Sequence, residues 1–289
     1  MTIILLTYLF VLQEIVSLLS DGVSTTGQDN WEQTLNKDVD VLFIGNSRCI
    51  CTIVPSKFSK ITGYKSINLG ANGQDNFEFF KTRISRFLLN GNESPKYVII
   101  VSEPINSISR QKEQKDRFAR YAFNPNLKNL PLIDYFEFDN LDRYIPAIAV
   151  LRHRSIFNCI FQNNKSTFEL LGYDKKFGNI CNSELIQFDK SLVDRNNNTY
   201  SKQLESFHNW LRKKNIKLIC VQLPMLGMKE NEKSILNNSK LILKQKIPFI
   251  NLYLDCLNSC DLFADRYHPN GLGAKLITVK LAEEFNKIK

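Results

Sequence analysis

The chain of 289 residues carries a formal net charge of +9, and 43% of its residues are hydrophobic and 23% charged. This balance is typical of a globular protein with one large or two small domains, and the absence of repeats, sustained heptads and long single-sign charge runs excludes solenoid, coiled-coil and disordered chains. The basic residues occur in scattered pairs and triplets without interleaved aromatic residues, so we interpret the charge as a solvated surface and expect no nucleic-acid partner.

The N-terminal stretch, residues 1–20, is largely apolar and contains no Lys or Arg. About 20 such residues are needed to span a bilayer, although Gln13 and Glu14 interrupt the run and an acidic residue near the centre costs roughly 2.5–3.5 kcal/mol. The basic region and cleavage site of a signal peptide are missing. We therefore expect an uncleaved membrane anchor, with a helix packed on the domain as the alternative. Residues 21–37 are polar and predict a linker to a domain at 38–289.

Short apolar runs that end in turn clusters predict buried strands. The predicted strands are 41–44, 66–69, 97–101, 216–221 and 247–252, and helical periodicity appears at 77–89, 200–214 and 272–288. Their alternation predicts an α/β fold: a three-layer, doubly wound, flavodoxin-like domain with a mostly parallel five-stranded sheet. In such folds ligands bind beyond the carboxyl ends of the strands.

Residues 105–199 depart from this alternation and contain aromatic and Asn-rich segments. We interpret them as a helical or irregular insertion between the third and fourth strands. The insertion forms either a lid or partner surface, or a set of additional packing helices.

The seven cysteines cannot all pair, because their number is odd. Cys49-x-Cys51 and Cys256-x3-Cys260 lack the paired C-x2-C spacing of a zinc site, so we expect no metal and mostly buried thiols. A single disulfide is compatible with the count, and Cys256 and Cys260 are the nearest pair. The cysteines are thus compatible with both an oxidising and a reducing compartment.

Ser47 directly follows the first predicted strand, in Gly45-Asn46-Ser47-Arg48. A sharp strand-to-helix turn at this point would expose the hydroxyl at a helix N-terminus, where unpaired N–H groups favour a developing oxyanion. An ordinary N-cap serine is the alternative interpretation.

A serine nucleophile needs a base, and the chain has three histidines: His153, His208 and His268. His153 lies in a basic cluster and His208 in a predicted amphipathic helix, so we interpret both as structural. His268 lies three residues after Asp265 in a loop before the last helix, where the carboxylate can orient the imidazole and stabilise its charged form. An isolated D-x-x-H is also compatible with a chance turn.

Three sequence blocks occur in this order: the turn with Ser47 after the first predicted strand, a Gly-rich turn after the second, and the Asp265–His268 turn before the last helix. In order and spacing they resemble the SGNH (GDSL-like) hydrolase superfamily, over roughly residues 38–287. The resemblance implies that Ser47 is the nucleophile, that His268 is its base and that Asp265 orients the base. It also implies that Gly73, within Asn68-Leu69-Gly70-Ala71-Asn72-Gly73-Gln74, joins Ser47 in donating a backbone N–H to the oxyanion.

The residues after the third predicted strand, where the superfamily has another characteristic block, depart from its pattern. Where G-x-N-D is usual, this chain reads Ser102-Glu103-Pro104-Ile105-Asn106. The side-chain donor of the oxyanion hole is therefore either Asn106, shifted in register, or Asn72.

The function implied by the resemblance is acyl transfer through an acyl-enzyme on Ser47, without a cofactor. The anchor, the insertion and the Gly-Asn-Ser-Arg turn look like those of SGNH proteins that add or remove O-acyl groups on bacterial envelope polysaccharides, often beside a membrane-bound acyltransferase. We therefore expect a serine esterase or O-acyltransferase that acts on acylated (acetyl) carbohydrate or polysaccharide, anchored in a cell membrane with an extracytoplasmic domain.

Three alternatives remain at this stage. A catalytically degenerate SGNH-fold protein would bind glycans or serve as an accessory protein without turnover. A flavodoxin-like phosphate or nucleotide binder would use the same helix N-terminus, although the chain lacks a G-x-x-x-x-G-K-[ST] or G-x-G-x-x-G motif. A basic nucleic-acid-binding protein would show salt-dependent binding to DNA.

Overall fold

A computed structural model describes residues 38–70, 77–89, 92–102, 171–181, 197–226, 233–253, 257 and 259–289. The predicted anchor and linker (1–37) and most of the predicted insertion lie outside the described residues.

The predicted localisation at a cell membrane is corrected by the length and composition of the helices. Among the described residues, no helix is both long and apolar enough to cross a bilayer. The longest of them, Gly271–Ile288, has 18 residues and carries Lys and Glu side chains along its exposed face, including Lys280 and Glu283.

Five parallel strands form the central sheet. They are β1 (Val41–Ile44), β2 (Ser66–Asn68), β3 (Tyr97–Val101), β4 (Lys217–Gln222) and β5 (Phe249–Asn251). Their order is β2-β1-β3-β4-β5, and each neighbouring pair is parallel. This arrangement confirms the predicted flavodoxin-like sheet. The direction of winding reverses between β1 and β3, which opens a crevice beyond the carboxyl ends of these two strands.

The helices lie on both faces of the sheet. They are α1 (Ser47–Thr52), α2 (Pro55–Thr62), α3 (Phe77–Leu89), α4 (Asn197–Arg212), α5 (Lys233–Lys244) and α6 (Gly271–Ile288). The predicted helices α3, α4 and α6 are confirmed, with their ends shifted by no more than three residues. We did not predict α2, although Pro55 at its start and the left-handed Gly63 (φ 78°) after its end are local helix boundary signals.

The two faces of the sheet are covered by separate cores. Alternate side chains of β1 point to opposite faces, so Leu42 and Ile44 pack with α3, α4 and α5, whereas Val41 and Phe43 pack with α1, α2 and α6. All four of these strand residues are fully buried. Burial on both faces explains why the strands appear in the sequence as continuous apolar runs rather than as alternating patterns.

A disulfide joins Cys181 of the predicted insertion to Cys260, which lies a few residues before the Asp265–His268 turn. Cys260 is therefore paired with Cys181 and not with Cys256, the cysteine nearest to it in the sequence. Cys181 and Cys260 are 79 positions apart in the chain, but the fold brings their Cα atoms to 4.9 Å. Cys49, Cys51 and Cys220 are buried free thiols.

Candidate active site

The turn after β1 presents Ser47 at the first position of α1. Gly45 has φ of 151°, a conformation that L side chains rarely adopt, and a Cβ at this position would lie 2.9 Å from Cys49 Cβ and 3.0 Å from Val101 Cβ. Asn46 caps the helix, because its Oδ1 accepts a hydrogen bond of 2.9 Å from Arg48 N. Ser47 itself therefore follows the cap and does not act as the N-cap residue.

The loop before α6 is organised around the carboxylate of Asp265. Its Oδ1 accepts hydrogen bonds from the backbone N–H groups of Tyr267 at 2.8 Å and His268 at 2.9 Å. An antiparallel bridge between Phe263 and Pro269 joins the two ends of the loop. The conformation of this loop is thus tied to the side chain that also contacts the imidazole.

Ser47, His268 and Asp265 lie in one hydrogen-bonded row. His268 Nε2 is 2.9 Å from Ser47 Oγ, although the two residues are 221 positions apart in the chain. His268 Nδ1 lies 2.8 Å from Asp265 Oδ2 and 3.0 Å from Oδ1. The His268 side chain is 21% exposed and that of Asp265 is 51% exposed. This is the geometry of a hydroxyl, a base and an orienting carboxylate.

The environment of Asp265 keeps its carboxyl ionised. Burial raises the pKa of Asp265, but the hydrogen bonds from the His268 imidazole and from the backbone N–H groups of Tyr267 and His268 outweigh it and lower the pKa below the usual 3.8. An ionised carboxylate only accepts hydrogen bonds, so the proton of the neutral imidazole lies on Nδ1. Nε2 is then available to accept the Ser47 hydroxyl proton.

The predicted oxyanion donors are described only in part. Ser47 lies at the start of α1, whereas Gly73, Asn72 and Asn106 lie outside the described residues. Of the divergent residues after β3, Ser102 is buried with its Oγ 2.8 Å from Tyr200 Oη.

Asn68, which the sequence analysis did not single out, connects β2 to α1. This fully buried side chain donates to Cys49 O at 2.8 Å and accepts from Gly70 N at 3.0 Å. Arg83 on α3, also fully buried, donates to Gly70 O at 3.0 Å. Both side chains therefore fix the position of Gly70, three residues before Gly73 in the sequence. An Asn at the end of an apolar strand is a sequence signal for such a contact, because a buried amide needs partners.

One segment of the predicted insertion packs against the site. Asp174 N donates to Ile50 O of α1 at 2.9 Å, and Gly271 N at the start of α6 donates to Lys176 O at 3.0 Å. The Cys181–Cys260 disulfide attaches the end of the same segment. Residues 171–181 thus contact both α1, which begins at Ser47, and the region around the Asp265–His268 loop.

A metal does not fit the one cluster that could hold it among the described side chains. Cys181, Cys260 and Asp261 lie close enough together to share an ion. The two sulfur atoms are bonded to each other, so they do not offer the thiolates that would bind a metal.

Gly273 allows α6 to approach the backbone at Leu262 closely, just before the Asp265–His268 loop. A Cβ on Gly273 would collide with the backbone oxygen of Leu262, whereas one on Gly271 would meet only the flexible side chain of Lys175. We expect Gly273→Ala to lower the free energy of unfolding by about 1–3 kcal/mol and to reduce any activity, since Leu262 directly precedes the loop. Thermal denaturation measures the first effect. Gly271→Ala is the matched control, and equal melting temperatures for the two variants would contradict the argument.

The chain matches known proteins among the solved structures. No family profile matches the chain, and no curated protein matches it. The chain is similar to a GDSL-like lipase from Bacteroides thetaiotaomicron, with 14% identity and a TM-score of 0.45 over 92% of this chain and 98% of that one. It is also similar to a catalytic mutant of an acetylxylan esterase from Geobacillus stearothermophilus, with 13% identity and a TM-score of 0.42 over 88% of this chain and 94% of that one.

Proposed function

We propose that this protein is an SGNH-type serine esterase or O-acyltransferase with Ser47, His268 and Asp265 as its catalytic triad. The observation that carries the proposal is the 2.9 Å contact between Ser47 Oγ and His268 Nε2, with Asp265 hydrogen-bonded to the opposite nitrogen of the imidazole. The geometry also agrees with two separate sequence blocks, the turn around Ser47 and the Asp265–His268 turn, which support the proposal further.

The proposed reaction begins when Ser47 Oγ attacks the carbonyl carbon of an ester and its proton passes to His268 Nε2. The tetrahedral intermediate collapses, the carbon–oxygen bond to the leaving alcohol breaks, and the imidazolium returns its proton to that alcohol. Water or a sugar hydroxyl, deprotonated by His268, then attacks the acyl group. The bond between that group and Ser47 Oγ breaks, and the imidazolium returns its proton to Ser47 Oγ. Hydrolysis and transfer share these steps and differ in the final acceptor. Asp265 stays ionised and stabilises the imidazolium in both half-reactions.

We propose that the backbone N–H groups of Ser47 and Gly73 and the side chain of Asn106 form the oxyanion hole. The proposal rests on the sequence blocks for Gly73 and Asn106. Losing one such donor typically lowers kcat by about 10²- to 10³-fold. The altered sequence after the third strand would therefore slow the enzyme without abolishing turnover.

The proposed substrate is an acylated carbohydrate, and Tyr267 supports this choice. The residue is 41% exposed, and its ring lies edge-on to the imidazole of His268, with 6.4 Å between the ring centroids. The hydrogen bond from its backbone N–H to Asp265 Oδ1 holds this residue beside the triad. A rigid, half-exposed aromatic ring at this position offers an apolar face on which a sugar ring can stack.

Replacing Tyr267 tests the carbohydrate proposal. We expect Tyr267→Ala to raise the KM for an acetylated xylo-oligosaccharide by up to about tenfold, because an aromatic contact is worth roughly 0.5–1.5 kcal/mol. Its kcat/KM for ethyl acetate, which has no ring to stack, should stay nearly unchanged. Tyr267→Phe should behave as wild type, and Phe177→Ala, which removes an aromatic ring that is 76% exposed, is the control. Equal losses on both substrates would argue against stacking.

The experiment that tests the proposed activity combines turnover with covalent labelling. Purified protein is incubated with p-nitrophenyl acetate and, separately, with a fluorophosphonate probe, and the labelled peptide is identified by mass spectrometry. Labelling at Ser47 together with turnover is expected. Neither turnover nor labelling would instead favour a glycan-binding protein with an inactive site. Adding a sugar acceptor and measuring its acylated product separates transfer from hydrolysis.

A further inference from the structure

Arg48, the residue after the proposed nucleophile, is buried and bonded to a distant segment. Only 4% of it is exposed. Its Nη2 donates to Leu223 O at 2.7 Å and to Pro224 O at 2.8 Å, both in the segment that follows β4. A buried cation is costly unless it is hydrogen-bonded, so these short bonds hold the start of α1 firmly against that segment.

The same segment continues to the loop that carries the base. Leu226 N donates to Arg266 O at 3.2 Å, and Arg266 lies between Asp265 and His268 in the chain. The buried Leu226 side chain also packs with Leu262 and Phe263, which lead into the loop. Residues 223–226 therefore contact the nucleophile turn at one end and the base loop at the other.

We propose that Arg48 is a positioning residue that maintains the distance between Ser47 Oγ and His268 Nε2 through residues 223–226. The inference rests on the proposed function, because the distance matters only if Ser47 is the nucleophile. Ser47 and His268 belong to elements from opposite ends of the described chain, and a third segment that contacts both fixes their relative position. A displacement of about 1 Å between reacting groups can cost about 10²-fold in rate without changing which ligands bind.

Three substitutions test the two ends of this connection. Arg48→Met removes the donors but keeps most of the stem, Arg48→Lys retains the charge, and Leu226→Ala trims the contact with the base loop. We expect Arg48→Met to lower kcat for p-nitrophenyl acetate by about 10²-fold with KM changed by less than about twofold. Arg48→Lys should recover part of the loss, and Leu226→Ala should lower kcat in the same way.

The control separates positioning from a general loss of stability. Leu211→Ala creates a cavity in the core on the opposite face of the sheet, far from these contacts. It should lower the melting temperature at least as much as the Arg48 substitutions and leave kcat unchanged when activity is measured well below that temperature. Where Arg48→Met does not fold, Arg48→Lys and Leu226→Ala decide the question.

The outcomes distinguish this inference from the proposed function. Folded Arg48 and Leu226 variants with wild-type kcat, in a protein whose Ser47 is labelled by fluorophosphonate, would overturn the positioning role alone. A comparable loss of kcat in Leu211→Ala would overturn it as well. A wild-type protein that neither turns over p-nitrophenyl acetate nor is labelled at Ser47 would overturn both proposals.

Discussion

Replacing Ser47 with alanine is expected to lower kcat/KM for p-nitrophenyl acetate by at least about 10³-fold and to abolish fluorophosphonate labelling. The reason is chemical: in the proposed mechanism the acyl-enzyme forms on Ser47 Oγ, and no neighbouring group can replace an atom that becomes covalently bonded to the substrate. Any residual rate would come from the oxyanion donors and from substrate binding. Steady-state kinetics and intact-protein mass spectrometry measure the two effects.

The matched control for this experiment is another serine. Ser59 Oγ lies 2.9 Å from Ser66 Oγ and accepts a hydrogen bond from Ser66 N at 3.0 Å, so it connects α2 to β2 away from the site. Ser59→Ala should lower the melting temperature and retain activity, whereas Ser47→Ala should remove activity and leave the melting temperature nearly unchanged. Retained turnover in Ser47→Ala would rule out the acyl-enzyme mechanism at this position.

The second large effect is expected for Asp265→Asn, which should lower kcat by about 10²- to 10⁴-fold. The neutral amide can still accept hydrogen bonds from the backbone of the loop through its oxygen. Its amide nitrogen would then face His268 Nδ1 as a donor, which favours the tautomer protonated on Nε2. That tautomer cannot accept the proton of Ser47, and the imidazolium would also lose its counter-charge. The pH dependence of kcat/KM and the rate of fluorophosphonate labelling measure the loss.

Asp40→Asn is the control for the loss of a carboxylate. Asp40 precedes β1 at the amino end of the sheet, where its carboxylate lies 2.8 Å from Lys96 Nζ. Removing that charge should leave the kinetics unchanged, because the carboxylate is at the end of the sheet opposite to Ser47. If Asp265→Asn kept wild-type kcat, the orienting role of Asp265 would have to be rejected and His268 would act without it.

The fold and the residues of the candidate site differ in how directly they can be predicted. Strands β1, β3 and β4 were recognised because a parallel strand buried on both faces must be apolar throughout. The short helix α2 was missed, because its apolar positions occupy too few turns to stand out against the surrounding polar residues. Helix α5 was missed as well, although its 12 residues are nearly as many as the 13 of the predicted α3. Asp265 and His268 were paired because their interaction spans only three positions, within a single turn.

What the sequence determined by itself was therefore local: the strand runs, the small-residue turn around Ser47 and the Asp265–His268 turn, each specified by neighbouring residues. The tertiary structure decided which distant groups meet. The 2.9 Å contact of Ser47 with His268, the Cys181–Cys260 disulfide and the bonds from Arg48 to the segment after β4 all join positions that are separated by 79 or more residues. Such contacts have no periodicity or spacing in the chain, because they arise only when the parallel sheet brings the carboxyl ends of its strands, and the loops that follow them, to one edge.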